Sequence, residues 1–207
     1  MRKKFLNDHV VVPGEEHWDP WTPAELSRRL NCVSKPWCIV GGWALDLWHG
    51  EKTREHDDIE FTIQRKDLNY FRHALSNMEF YTVDDGVFEL LTAEQIPDNN
   101  IFQIWCFDRS AYRWRADMMI ETGSDEQWVY KRDRQITRLR SEMVALTPHG
   151  IPYLAPSAVL LFKAKYRRPK DEDDFARAAP LLSPSDRLWL KNCLNLLHPH
   201  HAWAMAL

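Results

Sequence analysis

The sequence lacks the cysteine spacing of a disulfide framework or of a zinc site. Its four cysteines form no CxxC pair and stand far apart in the chain, at Cys32, Cys38, Cys106 and Cys193. Zinc sites and small disulfide-rich domains both need closely spaced or repeated cysteines. We therefore expect free thiols in a protein of a reducing compartment.

Long apolar runs are also missing. No stretch approaches the roughly 18 apolar residues that a membrane-spanning helix needs. The basic N-terminal residues 1–8 are not followed by the apolar segment of a signal peptide. We expect a cytoplasmic protein with no membrane partner, beginning with an irregular arm over residues 1–21.

An excess of basic charge is the third absence. The chain of 207 residues has 27 Lys and Arg against 30 Asp and Glu, a net charge of −3. A protein that binds nucleic acid along its length gains affinity from many cations that displace counterions. The balance argues against such a partner, although it leaves room for a local basic pocket that holds a triphosphate.

Hydrophobic periodicity divides the chain into two parts. Before residue 150, short β-prone runs predict strands over 37–40, 57–63, 80–83, 87–91, 101–107 and 114–120, with two more before Pro148 and over 151–154. Helices are predicted after the capping residue Thr22, over 43–48 and 67–76, and later over 157–166, 171–179 and 185–197. We expect an α+β fold: a mixed sheet flanked by helices over residues 1–150, then a small helical region over 151–207.

Two acids are predicted to share one face of a strand. Residues 57–63 alternate with period two, so Asp58 and Glu60 project to one side and apolar residues to the other. The α-carbons of such a pair lie about 6.5 Å apart. Their repulsion calls for a shared proton, a basic partner or a divalent cation.

A phosphate-binding pattern precedes these acids. Gly41 and Gly42 follow the strand over 37–40 and open a helix, and glycines at a helix N-terminus allow the backbone to approach an anion. Arg54 can bind phosphate through two parallel hydrogen bonds. His56 could contact phosphate, orient Asp58 or make a structural hydrogen bond, and Asp46 could pair with Arg54. The combination favours metal-assisted transfer of a nucleotidyl group.

The run Gly41-Gly-Trp-Ala-Leu-Asp-Leu-Trp followed by Thr53-Arg-Glu-His-Asp-Asp-Ile-Glu60 resembles the aminoglycoside and lincosamide adenylyltransferases of the polymerase-β-like superfamily. The resemblance is dense over residues 38–63. It implies a nucleotidyltransferase-type sheet, two Mg²⁺ ions, and transfer of a nucleoside monophosphate from ATP or another NTP to a hydroxyl. Glu60 departs from the commoner Asp, and its longer side chain would shift the metal.

The resemblance also implies a third carboxylate on a later strand, as metal ligand or general base. Asp117 is the first candidate, because it interrupts the otherwise apolar run of residues 114–120. Glu121 lies four residues further on the same face and is the reserve. Glu89, on another predicted strand, is the third possibility.

Basic residues beyond the sheet provide further candidates. In the resembling proteins a lysine on a C-terminal helix reaches the nucleotide phosphates, and here Lys163 follows the apolar run Val159–Phe162. A solvated helix end with charge pairs is the other interpretation. We expect Asp171 and Asp174 to cap the next helix. Trp128 and Tyr130, followed by Lys131-Arg132, are predicted to flank the acceptor pocket.

Three functions are compatible with these patterns. The first is nucleotidyl transfer to a small hydroxylated molecule, such as an aminoglycoside or lincosamide antibiotic, whose modification would confer resistance. The second is transfer to a protein or to tRNA, although the net charge disfavours tRNA. The third is a catalytically silent member that only binds nucleotide, against which the three retained acids argue.

Overall fold

The computed structural model describes residues 13–93 and 95–207. The predicted N-terminal arm therefore lies mostly outside the described residues. The strands are β1 Trp37–Ile39, β2 Glu60–Gln64, β3 Glu79–Asp84, β4 Val87–Leu90, β5 Gln103–Asp108, β6 Arg113–Glu121, β7 Gln127–Val129, β8 Thr137–Leu139, β9 Val144–Leu146 and β10 Pro152–Leu154. The α-helices are α1 Pro23–Arg29, α2 Gly41–His49, α3 Leu68–Ala74, α4 Arg140–Met143, α5 Pro156–Lys163, α6 Pro169–Ala178, α7 Pro184–Leu197 and α8 Ala202–Ala206.

Eight strands form one mixed sheet in the order β4-β3-β5-β6-β2-β1-β10-β9, and β7 and β8 form a separate hairpin. β2 runs parallel to β6, and β1 runs parallel to β10, while the other neighbouring pairs are antiparallel. β2 and β6 therefore lie side by side in the middle of the sheet. The predicted α+β class with a mixed sheet is confirmed.

Capping residues fix the helix ends as the sequence predicts. The Thr22 hydroxyl accepts from the Glu25 backbone N–H, and the Glu25 carboxylate accepts from the Thr22 N–H at 2.8 Å, a capping box that starts α1. Gly50 ends α2 with φ of +83°, in the left-handed region that favours glycine. None of the helices in the described parts of the chain has the length and apolarity of a bilayer-crossing helix.

The sequence prediction missed several short elements. The β7–β8 hairpin, α4 and α8 have three to five residues in each element, too few to establish a periodicity. β2 begins at Glu60 rather than at residue 57, because Asp57 and Asp58 are exposed and lie ahead of the strand ladder. β10 joins the main sheet beyond residue 150, so the sheet draws on both predicted regions.

Aromatic residues form a second buried cluster beside the main core. Tyr81, Trp105, Phe107 and Trp114 are all buried, and the ring centroids of Trp105 and Trp114 lie 5.3 Å apart, edge to face. Trp114 is fully buried and its indole N–H donates to the Gly14 carbonyl at 3.1 Å. The cluster thus holds the segment that precedes α1 against β6.

We predict that Trp114→Ala lowers the free energy of unfolding by about 3–5 kcal/mol, because it empties the centre of this cluster. Trp114→Phe should cost less, since a ring remains and mainly the indole hydrogen bond is lost. Urea unfolding measures both. Leu188→Ala, at a side chain that is 59% exposed, serves as control and should stay within about 0.5 kcal/mol of the parent.

Candidate active site

Three carboxylates lie close together near the start of β2, where β2 pairs with β6. Glu60 opens β2 and is the direct register partner of Asp117 on β6. Neighbouring strands lie about 4.8 Å apart, so the two side chains stand next to each other on one face. Asp58 is exposed and precedes the strand by two residues. Asp58 and Glu60 both act electrostatically on Asp117.

Burial and like charge make these acids hard to ionise together. Burial, reinforced by the charge of Asp58, raises the pKa of Glu60 to about 7. Burial raises the pKa of Asp117 well above its ordinary value, and the Glu60 carboxylate adds to the shift. The Gln103 side-chain amide opposes this shift by donating to Asp117 Oδ2 at 2.6 Å. The arrangement accumulates negative charge that a bound cation would relieve.

The donor set suits an oxygen-liganded divalent cation. Asp117 Oδ1 is buried and accepts no well-aligned hydrogen bond among the described residues, although the nearby Trp105 side chain helps to lower the pKa of this carboxyl. Carboxylate oxygens are the ligands that Mg²⁺ prefers. No three His, Cys, Asp or Glu side chains within 13–93 and 95–207 form a ready metal cage. The fit therefore rests on this buried Asp117 oxygen and on the mutual repulsion of the acids.

The two glycines after β1 make room for side chains of the site. Gly41 has φ of +65°, and a Cβ there would collide with the Glu60 carboxylate. A Cβ on Gly42 would overlap the Arg54 guanidinium and lie 2.7 Å from His56 Cε1. Position 41 therefore favours glycine through its left-handed backbone, whereas a side chain at position 42 would have to displace Arg54 and His56. The contact of the two glycines with phosphate stays a prediction.

Arg54 and His56 are held by carboxylates of helices. Arg54 Nε and Nη2 each lie 3.1 Å from the Asp174 carboxylate, and Arg54 Nη1 lies 3.1 Å from His56 Nδ1. His56 Nε2 lies 2.6 Å from Asp46 Oδ2, and its ring stacks on Trp43. Burial lowers the pKa of His56. The predicted Asp46–Arg54 pair is wrong, because His56 stands between the two side chains.

Lys163 lies on the wall of the site and is already paired. Its side chain is 7% exposed, and its Nζ lies 3.1 Å from Asp171 Oδ1 and 2.9 Å from Asp174 Oδ2. Asp171 caps α6 as expected, accepting from the Arg168 backbone N–H at 3.0 Å. Asp174 instead joins Arg54 to Lys163, so it tethers the loop before β2 to α5 and α6. The contact of Lys163 with phosphate stays a prediction.

Glu121 and Glu89, the other two candidates for the third carboxylate, do not share the position of Asp117. Glu121 lies on the same strand as Asp117 but forms a buried ion pair with Arg140. Glu89 is exposed on β4, and β3, β5 and β6 separate it from β2, which places it roughly 19 Å away at the usual strand spacing of about 4.8 Å. Glu89 as the third acid is wrong. The pattern of alternating residues could not tell which strands are neighbours.

A cavity of about 280 Å³ opens beside Glu60, whereas Asp58 and Asp117 do not line it. Gly41 and Glu60 lie on its wall, together with apolar side chains from β6, β7 and α5. Residues that the sequence assigned no nucleotide-binding role also line it: Trp128, Lys131, Arg132, Phe162, Tyr166 and Arg168. Trp128, Lys131 and Arg132 fall in the segment that was predicted to border the acceptor, whereas Tyr130 is buried. The site thus joins an acidic end to an apolar cleft.

A sequence model of the aminoglycoside-2''-adenylyltransferase family matches residues 24–176. The chain belongs to this family. The match spans the acid-bearing strands, the glycine turn, helix α5 and most of α6. The predicted resemblance is confirmed, and this protein is a nucleotidyltransferase of the adenylyltransferase type.

Solved structures agree on the fold. The crystal structure of ANT(2'')-Ia in complex with adenylyl-2''-tobramycin is 14% identical, with a TM-score of 0.55 over 84% of this chain and 95% of that one. The lincomycin-bound lincosamide antibiotic adenylyltransferase LnuA is 16% identical over 84% and 98% of the two chains, and its TM-score of 0.47 is too low to add to this conclusion. No curated protein matches the sequence of this chain.

We predict that Asp174→Asn destabilises the fold by about 3–5 kcal/mol, because Arg54 and Lys163 lose their shared buried carboxylate. Hydrogen bonds and cations lower the pKa of Asp174 against the opposing effect of burial. A lowered pKa stabilises the fold above the ordinary carboxyl range, and this stabilisation is lost as the pH falls through the folded-state pKa. The difference between variant and parent should therefore be full at pH 7 and shrink in acid.

Urea unfolding at several pH values measures this difference. Asp125→Asn is the matched control, because Asp125 pairs with Lys66 on the surface and both side chains are 58% exposed. That change should cost less than about 1 kcal/mol. Equal effects of the two substitutions would contradict a buried tether at Asp174.

Proposed function

We propose that this enzyme transfers a nucleoside monophosphate from ATP, or another NTP, to a hydroxyl of a small molecule. The observation that carries the proposal is the pair of Glu60 and Asp117, adjacent on parallel central strands with Asp58 beside them. The first candidate acceptors are aminoglycoside antibiotics, since the matching family is that of aminoglycoside-2''-adenylyltransferases and adenylyl-2''-tobramycin is bound in one structural neighbour. Lincosamides are the second candidates, by the sequence resemblance. Modification of such an acceptor would confer resistance.

The three acids are proposed to hold the Mg²⁺ ions. The family resemblance implies two such ions. Bound Mg²⁺ supplies positive charge against the triphosphate and the hydroxyl that attacks it. Asp117 is proposed also to accept the proton of that hydroxyl. Gln103 donates to Oδ2 of Asp117, while Oδ1 accepts no well-aligned hydrogen bond, so this oxygen is the one proposed to accept the proton or bind the cation.

The nucleotide is proposed to lie in the cavity, with its phosphates toward Gly41 and Gly42. These residues begin α2, where the backbone N–H groups have no partner within the helix and favour an anion. The apolar walls at Trp128, Phe162 and Tyr166 suit the flat face of a nucleobase. In this arrangement the sheet domain, residues 1–150, supplies the acids, and region 151–207 supplies the opposite wall.

Arg54, His56 and Lys163 complete the proposed nucleotide-binding set. Each side chain already interacts with a carboxylate of Asp46, Asp171 or Asp174. We therefore propose that they position the loop that carries Asp58 and that they add positive electrostatic potential at the phosphates. Paired cations still attract an anion, but more weakly than unpaired ones.

We predict that Asp58→Asn, Glu60→Gln and Asp117→Asn each lower turnover at least about 100-fold, because each removes a charged oxygen from the reacting centre. Pyrophosphate release with Mg²⁺, each NTP in turn and a panel of aminoglycosides and lincosamides measures turnover. Release that requires an added acceptor supports the proposal, whereas label found on protein or RNA supports the alternative acceptors.

Glu89→Gln is the control for these variants. It makes the same chemical change to an exposed acid on β4, far from the site, and should leave turnover unchanged. Full activity of Asp58→Asn and Glu60→Gln would show that the acids were assigned wrongly. Absence of pyrophosphate release from the parent enzyme with every acceptor would argue for a protein that binds nucleotide without turnover.

A further inference from the structure

Two of the four cationic side chains that line the cavity, Lys163 and Arg168, are paired with nearby carboxylates. Lys163 Nζ lies within 3.1 Å of both Asp171 and Asp174. Arg168 Nε lies 2.9 Å from Asp171 Oδ2, and its Nη2 makes a second bond to the same carboxylate. These side chains have the charge that a phosphate requires, but their strongest hydrogen-bond directions are already occupied.

Lys131 differs from these cations. It lines the cavity together with Gly41 and Glu60, and among the described residues no carboxylate lies within 4.0 Å of its ammonium group. Its Nζ instead stands 4.1 Å from the centroid of the Phe102 ring. Asp117 and Asp84 act on it only from a longer range. The ammonium is therefore available to a ligand in the cleft.

The backbone on both sides of Lys131 is anchored. The Tyr130 N–H donates to the Ile136 carbonyl at 2.9 Å, and the fully buried Tyr130 ring directs its hydroxyl to the Leu161 carbonyl. Arg132 Nη1 donates to the Phe162 carbonyl at 2.8 Å. Arg132 is thus engaged with α5, while Lys131 between the two anchors has a fixed backbone and a free end. A fixed backbone lowers the entropy lost when the ammonium binds a ligand.

We propose that Lys131 binds the phosphates of the donor nucleotide. This inference rests on the proposed function and adds one residue to its site. Without bound cations, the three acids would attract the Lys131 ammonium. Cations held by these acids would repel it. The remaining negative charge in the cleft would then be the phosphate groups, which a lysine holds as a point charge. Burial lowers the pKa of Lys131, and a phosphate partner would keep its charged form favourable.

The test compares binding of ATP with binding of adenosine, which has no phosphate. Calorimetry with Mg²⁺ and without acceptor measures both dissociation constants for the parent, Lys131→Met and Lys131→Arg. Loss of a charge-assisted hydrogen bond should weaken ATP binding of Lys131→Met about tenfold or more and leave adenosine binding unchanged. Lys131→Arg retains the charge and should recover most of the ATP affinity.

Lys191→Met is the matched control, because Lys191 lies on α7 away from this cavity and should not affect either ligand. If Lys131→Met is not folded by circular dichroism, Lys131→Gln replaces it and keeps a polar side chain. Unchanged ATP affinity, or equal weakening of ATP and adenosine, overturns the assignment of Lys131. A parent enzyme that binds no NTP in Mg²⁺ instead overturns the proposed function, so the two failures are distinguishable.

Discussion

The site depends on the repulsion between carboxylates that the sheet forces together. Glu60 and Asp117 are register partners on β2 and β6, so they cannot separate without breaking the parallel ladder at the centre of the sheet. Burial raises the pKa of both groups, reinforced by the charge of Asp58 at Glu60 and by the charge of Glu60 at Asp117. Holding such a pair costs the fold some stability, and binding of the proposed cations would recover that cost.

The surroundings of these acids are organised around that constraint. The glycines after β1 remove the side chains that would strike Glu60 and Arg54. Asp174 joins the loop that carries Asp58 to α5 and α6 through Arg54 and Lys163. The helices thus do more than cover the sheet, because through these contacts they hold the loop that carries the exposed Asp58. Buried ion pairs of this kind are retained for geometry rather than for net stability.

The division between paired and unpaired cations has a functional consequence. Lys163 and Arg168 lie at the cleft but are held by α6 carboxylates, whereas Lys131 has only an aromatic ring beside it. With two of its four cations paired to carboxylates, the cleft carries little excess positive charge in the free protein, and the proposed triphosphate would meet one lysine without a carboxylate partner. This agrees with a chain of net charge −3 that belongs to a family of nucleotide-using enzymes.

The sequence by itself determined the strand carrying Glu60, the glycine turn, the capping box of α1 and the family, because each is a local pattern within about 25 residues. It also indicated Asp117, an acid in an apolar run. Only the tertiary structure decided that β6 and not β4 adjoins β2, that Asp46 pairs with His56, and that Lys163 already has partners. Neighbouring strands and ion pairs bring together residues up to 120 positions apart in the chain. The local spacing of residue types in a sequence carries no information about such distant contacts.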